Sequence, residues 1–450
     1  MLMSSKREKE KLKFKRSDIT FDDVVGHKEV KKRLRSIIKI IQDPEKLKDF
    51  DIPLPRGALL YGPPSIGKSM LAKAFIHEAG FSYLEISGSK LFELDHIKEV
   101  YDLASRHAPS VVLLEDIDIK GVLQGTITNV SFSDIAKVIE SSEPTVFTIA
   151  TAESLDDVDP VLTAPQKLDF LIEVSKLDKD ARKFFIEKIL EKPHDPKINV
   201  DRIVRYITGM SAMELDRLGR MAALNVIEED KKWITEDILI EQINIIKYGH
   251  KIETQMVKNL EEELKMTAYH EAAHAVLSCI LMPQVKIEQV TISRRSKMLG
   301  FVSYNAEDEY SNITKEEIFN DVCVLMAGRM SKIVKAGEEK MDSGAVNDLS
   351  QASVNIYAAL TTLGMDKELG LINIESIAMM ADDFLAAKIE ERFMHWINVA
   401  RERTEALVRE HWDKIEKLAL QLIEKEIVEE EELLKIVGKV KRSYPIPASL

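Results

Sequence analysis

The tightest constraint on this chain is an octapeptide. Residues 62–69 read Gly62-Pro63-Pro64-Ser65-Ile66-Gly67-Lys68-Ser69, a G-x-x-x-x-G-K-[ST] pattern. An apolar run, GALLY (57–61), precedes it, and SMLAKAFIHEAG, with helical spacing, follows. A strand that runs through such a loop into a helix turns its backbone N–H groups inward, where they cradle phosphates. Lys68 is then placed to reach the β- and γ-phosphates and Ser69 to ligate Mg²⁺, with Met70 next in the same turn. The competing reading, an ordinary glycine-rich turn, does not explain why strand and helix flank it on the required sides.

The surroundings fit that loop. FSYLEIS (81–87), VVLLEDI (111–117) and TVFTIAT (145–151) read as further buried strands separated by helical stretches. Strands alternating with helices predict an α/β domain with a parallel sheet covered on both faces. VVLLEDI ends in two acids, Glu115 and Asp116, the chemistry that Mg²⁺ and an attacking water require. From Lys179 to about Tyr248 the pattern turns all-helical. Residues 256–442 are mainly helical again, apart from a strand-like pair at VKIEQVTIS (285–293) and GFVSYN (300–305).

Composition narrows the setting. The chain has 450 residues, 45% of them hydrophobic, enough for two or three cored domains. Its net charge of −13 argues against general nucleic-acid binding. Cys279 and Cys323 are the only cysteines, so a disulfide scaffold and a cysteine-rich zinc module are excluded. No apolar run approaches the roughly 18–20 residues that span a bilayer. The start is too polar for a signal peptide. Residues 1–18 form a charged leader, read as a flexible solvated tail or as a linker to an anchor outside this chain.

A second motif carries different chemistry. Tyr269-His270-Glu271-Ala272-Ala273-His274 contains H-E-x-x-H. Spacing of four puts both imidazoles on one helix face, able to grip one metal ion. Only 10 of the 450 residues are His, so chance pairing at this spacing is rare. Zn²⁺ lowers the pKa of a water it holds to roughly 7, and Glu271 is placed to take the proton. The flanks, MTAYHEAAHAVLSCILM, read as one amphipathic helix. Two histidines leave a tetrahedral site one protein ligand short. Asp342, Asp348, Glu338 and Glu339 are the acids on offer.

ITFDDVVGHKEVKKRL, GALLYGPPSIGKSMLAKAFIHEAGFSYLEISGS and DPVLTAP together resemble an AAA+ ATPase module, most similar to that of the FtsH family of ATP-dependent membrane metalloproteases. The resemblance spans residues 19 to about 440. It implies that Val25 and Gly26 pack beside the adenine of ATP or ADP. MDSGAVNDLSQAS resembles the family segment that supplies the third zinc ligand, which maps to Asp348. LGFVSY resembles the family strand that pairs with substrate backbone, giving Leu299–Tyr304 as that edge. The implied architecture is a flexible leader (1–18), a nucleotide-binding α/β domain (19–176), a helical lid (177–250), a zinc peptidase domain (256–442) and a tail (443–450). The implied partners are polypeptide substrates and further copies in a hexameric ring, with no nucleic acid. The expected location is cytoplasmic, or the cytoplasmic face of a membrane if an anchor lies outside this chain.

The departures from the family cluster in the ATPase. The family's acidic pair usually reads Asp then Glu; here it is Glu115 then Asp116. A displacement of about 1 Å can cost on the order of 100-fold in rate. The family's polar sensor at a strand end is replaced by Ala152. The arginines that act on the neighbouring subunit's nucleotide, worth roughly 10³–10⁵ in rate, are replaced by Ala164 and Lys167. The pore-lining aromatic-Gly loop is absent: after ISGS the chain is shorter, with Phe92 in the preceding turn. In the peptidase the one change is Ala273 for a usual Gly. These features predict a zinc metalloendopeptidase acting on unfolded protein, with a module that binds ATP or ADP and hydrolyses it poorly. The alternatives are a fully ATP-driven protease and an inactive partner or regulator of a membrane protease.

Overall fold

A computed structural model describes residues 12–87, 94–118, 132–251, 260–295, 300–304, 313–374, 376, 383–438 and 444–450. The chain divides into two compact units, Met1–Glu236 and Asp237–Leu450.

The first unit is an α/β layer structure. In chain order it runs α1 (Lys28–Gln42), α2 (Glu45–Lys48), β1 (Gly57–Tyr61), α3 (Lys68–Ala79), β2 (Ser82–Ser87), α4 (Leu94–Arg106), β3 (Ser110–Glu115), α5 (Phe132–Ser141), β4 (Val146–Ala152) and β5 (Phe170–Glu173). The helices α6 (Lys179–Ile189), α7 (Val200–Tyr206) and α8 (Ala212–Glu228) follow. The five strands form one parallel sheet in the order β2-β3-β4-β1-β5. Strand pleating sends alternate residues to opposite faces. Leu60, Val111, Leu113 and Ile149 therefore pack under α1 and α3 with Leu34, Leu71 and Phe75. Leu59, Val112, Leu114 and Ala150 pack under α4 and α5 with Ile97, Tyr101 and Ile135. The expected strands appear in place. β5 went unread because FLIE is only four residues long.

The leader departs from expectation over residues 12–18. Lys15 bridges antiparallel to Tyr83 at the β2 edge, its N–H donating to Tyr83 O at 2.9 Å and its carbonyl accepting from Tyr83 N–H at 3.0 Å. Leu12 and Phe14 pack against the core beneath. Two apolar side chains among the basic ones are enough to seat this stretch on an open sheet edge. Residues 1–11 lie outside the described residues, as does Phe92.

The second unit contains α9 (Glu236–Tyr248), α10 (Leu260–Leu281), β6 (Ile287–Thr291), β7 (Phe301–Tyr304), α11 (Lys315–Ala336), α12 (Val346–Thr361), α13 (Asp383–Glu410), α14 (Trp412–Lys425), β8 (Ile427–Glu429) and α15 (Glu430–Val437). β6 lies between β7 and β8, antiparallel to both, so β7 is an edge strand among the described residues. α10 is not amphipathic as its sequence suggested. Every residue from Ala268 to Ser278 is buried, because α11, α14 and the small sheet enclose it. No described helix is long and apolar enough to cross a membrane.

Candidate functional site

The two histidines of α10 lie one turn apart, with their Nε2 atoms 3.0 Å from each other. The first turn of α12 brings Asp348 to them. Its Oδ2 is 3.1 Å from His270 Nε2 and 3.5 Å from His274 Nε2. Ligands on a tetrahedral ion with bonds of about 2.0–2.1 Å stand roughly 3.3 Å apart, so this spacing suits Zn²⁺. Of the other acids on offer, Asp342 is bound to the Lys332 ammonium at 2.8 Å, and Glu338 and Glu339 are exposed. Residue type and spacing left these four level, the family resemblance singled out Asp348, and among the described residues it is Asp348 that the fold groups with the histidines.

The surroundings prepare the donors. His274 Nδ1 donates to the Val324 carbonyl at 2.7 Å, which leaves the Nε2 lone pair for a ligand. Burial lowers the His270 pKa to about 4, despite the Asp348 hydrogen bond, so its imidazole is neutral at physiological pH. Asp348 is held well below the usual carboxylate range because the two imidazoles outweigh its burial. Glu271 is 7% exposed. Burial pushes its carboxyl up to about 7, within reach of proton exchange near neutrality. A cavity of about 560 Å³ opens over this cluster, also lined by Tyr304, Asp321, Leu325 and Lys332.

Two glycines that sequence reading passed over shape this centre. A Cβ on Gly328, in the interior of α11, would sit 2.4 Å from the His270 ring and 2.5 Å from His274 Nε2. A Cβ on Gly300 would sit 2.9 Å from Glu271 Oε1. The available signal was a helix-interior glycine, which costs about 1 kcal/mol relative to Ala and so asks for a reason.

The phosphate loop lies between β1 and α3. Gly67 caps α3 with φ 102° and Gly62 has φ 148°, where a Cβ would meet the Val174 carbonyl at 2.1 Å. Ser65 also has positive φ. Lys68 is buried and its ammonium donates to the Gly62 and Pro63 carbonyls at 2.6 and 2.8 Å. Pro63, Pro64 and Met70 are exposed, while Ile66 is buried and its carbonyl accepts from His27 Nε2 at 3.0 Å. Val25 and Gly26 lead into that histidine, and Gly26 approaches Ala181 of α6 too closely for any side chain.

Known proteins sort these two sites. Residues 256–436 match Peptidase family M41, and residues 58–176 match the ATPase family associated with various cellular activities. Across 96% of its length the chain is 30% identical to ATP-dependent zinc metalloprotease FtsH 2 of Methylacidiphilum infernorum, covering 71% of that protein. The chain belongs to the FtsH family. It is also 28% identical to FtsH 1 of Thermomicrobium roseum, over 93% of this chain and 68% of that one. A mitochondrial FTSH 3 of Arabidopsis thaliana is 29% identical over 95% of this chain and 55% of its own.

The positions where this FtsH-family chain departs from the usual pattern have definite surroundings. Glu115, at the end of β3, hydrogen-bonds Ser69 and Glu85, and its Oε1 is 3.8 Å from Lys73 Nζ. Burial, then the neighbouring Glu85, raises its pKa. Asp116 is exposed in the left-handed region at φ 55°, its N–H donating to Thr151 Oγ1 at 3.0 Å. Ala152 is fully buried and has no polar side chain; its carbonyl accepts from Gly62 N–H at 3.2 Å. The Lys167 side chain is 14% exposed, with its Nζ 3.5 Å from Glu140.

Proposed function

We propose that this chain is a zinc metalloendopeptidase of the FtsH type that cleaves unfolded polypeptides, and that its AAA+ module binds ATP or ADP with Mg²⁺ but hydrolyses ATP slowly or not at all. The convergence of His270, His274 and Asp348 beside a Glu271 poised near neutrality carries the peptidase reading.

His270, His274 and Asp348 would hold the metal. Zn²⁺ there would polarise the substrate carbonyl and acidify a water. Glu271 takes the proton of the attacking water and returns it to the leaving amine as the peptide C–N bond breaks. Val324, through His274, keeps the imidazole tautomer correct for this. The outer edge of β7, unpaired among the described residues, supports main-chain pairing by an extended substrate, which favours unfolded chains.

On the nucleotide side, Lys68, Ser69 and the loop glycines support binding. The poor-hydrolysis reading rests on Ala152 lacking a polar group, on Glu115 sharing its carboxylate with Glu85, and on Lys167 being engaged by Glu140 of its own chain. The family resemblance supports a ring of further copies as the assembled form. The deciding measurement is zinc content together with casein cleavage by wild type and Glu271→Gln. A chain that binds no zinc, or equal cleavage by both, overturns the peptidase reading.

A further inference from the structure

The helix α11 lays a charge pattern along the cavity that the chemistry above does not use. Asp321, Val324, Leu325, Gly328 and Lys332 all come from this helix, and all but Gly328 line the cavity. Gly328 packs against both histidine rings, so it marks the centre of the cluster. Lys332, one turn onward, is spent on Asp342. Asp321 lies two turns the other way, about 10 Å along the helix axis.

Its carboxylate is half-buried and only partly used. Oδ2 accepts from Asn355 Nδ2 at 2.7 Å. Among the described residues no donor meets Oδ1, and no cation pairs with the group. The electrostatic neighbours of Asp321 include His274, Tyr304 and Cys323. The strand β7 borders the same cavity: Gly300, just before it, touches Glu271, and Tyr304, its last residue, lines the cavity together with Asp321 and Glu271. A peptide paired with that edge and cut at the histidine cluster therefore sends a neighbouring side chain towards Asp321. Val324 and Leu325 supply an apolar wall on the way, which suits a long aliphatic stem ending in a cation.

We propose that Asp321 is a specificity-determining residue, closing a subsite beside the cleaved bond that takes a lysine or arginine side chain of the substrate. The inference rests on the peptidase reading. A carboxylate lying at the end of an apolar slot accepts a cation and disfavours an acidic side chain, so discrimination comes from both attraction and repulsion.

The test uses the full chain carrying zinc and peptides that differ at one position, with Arg, Leu or Glu there. Cleavage sites are read by mass spectrometry and rates as kcat/KM. Wild type should cut next to the basic residue, and Asp321→Asn should lower the Arg-to-Leu ratio by roughly 10- to 100-fold, the worth of one charge-assisted contact. Asp321→Lys should turn the preference towards Glu, an inversion that a purely structural tie to Asn355 would not produce. On a Glu271→Gln background, peptide affinity read by fluorescence anisotropy should shift in the same order. Cleavage without basic enrichment, or an Arg-to-Leu ratio unmoved by Asp321→Asn, overturns this inference and leaves the peptidase reading standing. Failure of the zinc-loaded wild type to cut any peptide overturns both.

Discussion

Single residues decide whether the zinc cluster forms. Gly328 is the sharpest case, because two opposing effects act there. In a helix interior Ala is favoured over Gly by about 1 kcal/mol, yet here a Cβ would press on both imidazoles at 2.4–2.5 Å. Gly328→Ala is therefore expected to leave helix content intact while weakening zinc affinity about 10- to 100-fold, the usual cost of disturbing what orients a ligand. Circular dichroism and metal titration against a chelator read the two separately. A variant with undiminished zinc affinity would show that the rings move aside freely. Gly300 makes the same argument for Glu271, whose Oε1 it approaches.

At the scale of elements, α11 is the part on which the candidate site depends. It carries Gly328, the Val324 carbonyl and Asp321. Its start is held by a capping box, in which Thr314 Oγ1 accepts from Glu317 N–H and Glu317 Oε2 accepts from Thr314 N–H at 2.8 Å. Thr314→Ala is expected to cost about 1 kcal/mol, read as a lower urea midpoint with an unchanged slope. The small sheet contributes differently. β6 is buried along its whole length, and its pairing with the short β8 leaves β7 outermost. The alternation in GFVSYN was readable from sequence. That it is an edge strand among the described residues was not readable, nor was β8, a three-residue strand with no signal of its own that takes the other side of β6.

Across the whole molecule, each unit has its own core and its own polar anchors. In the second, Asp366 is 3% exposed and accepts from the Arg392 guanidinium at 2.9 Å and from Trp396 Nε1 at 2.8 Å. These partners outweigh its burial and hold its carboxyl at about 2, below the ordinary 3.8. Because the folded value lies below the unfolded one, the stabilisation is present at neutral pH and fades as pH falls from about 4 to 2. It amounts to about 2 kcal/mol, and Asp366→Asn should flatten that acid limb while costing about 3 kcal/mol at neutral pH by removing the buried carboxylate from Arg392, which keeps its outer ion pair with Glu368. Acid titration followed by tryptophan fluorescence measures both. In the first unit, ATP and ADP are expected to bind, with Lys68→Ala abolishing binding in a calorimetric titration. Multiple-turnover hydrolysis at about 1 s⁻¹ or faster, the range of ordinary enzymes, would defeat the poor-hydrolysis reading. Degradation of a folded protein should be no faster with ATP than without it.

Local chemistry made much of this protein readable from its sequence. The phosphate loop needs its glycines, lysine and serine within eight residues, and H-E-x-x-H needs only one helical turn. Strand runs such as SVVLLE are apolar because both faces of the sheet are covered. What sequence could not rank were groups brought together across long separations. Residue type and spacing left Asp348, 78 positions from His270, level with Asp342, Glu338 and Glu339; the family resemblance singled it out, and the fold bound Asp342 to Lys332 and left the glutamates in solvent. The same holds for Gly328 against the imidazoles, for Glu85 against Glu115 and for Lys167 against Glu140. Motif spacing specifies which atoms lie within a turn or a loop. Only the packing of α10, α11 and α12 decides which donor, acid or absent side chain completes the site.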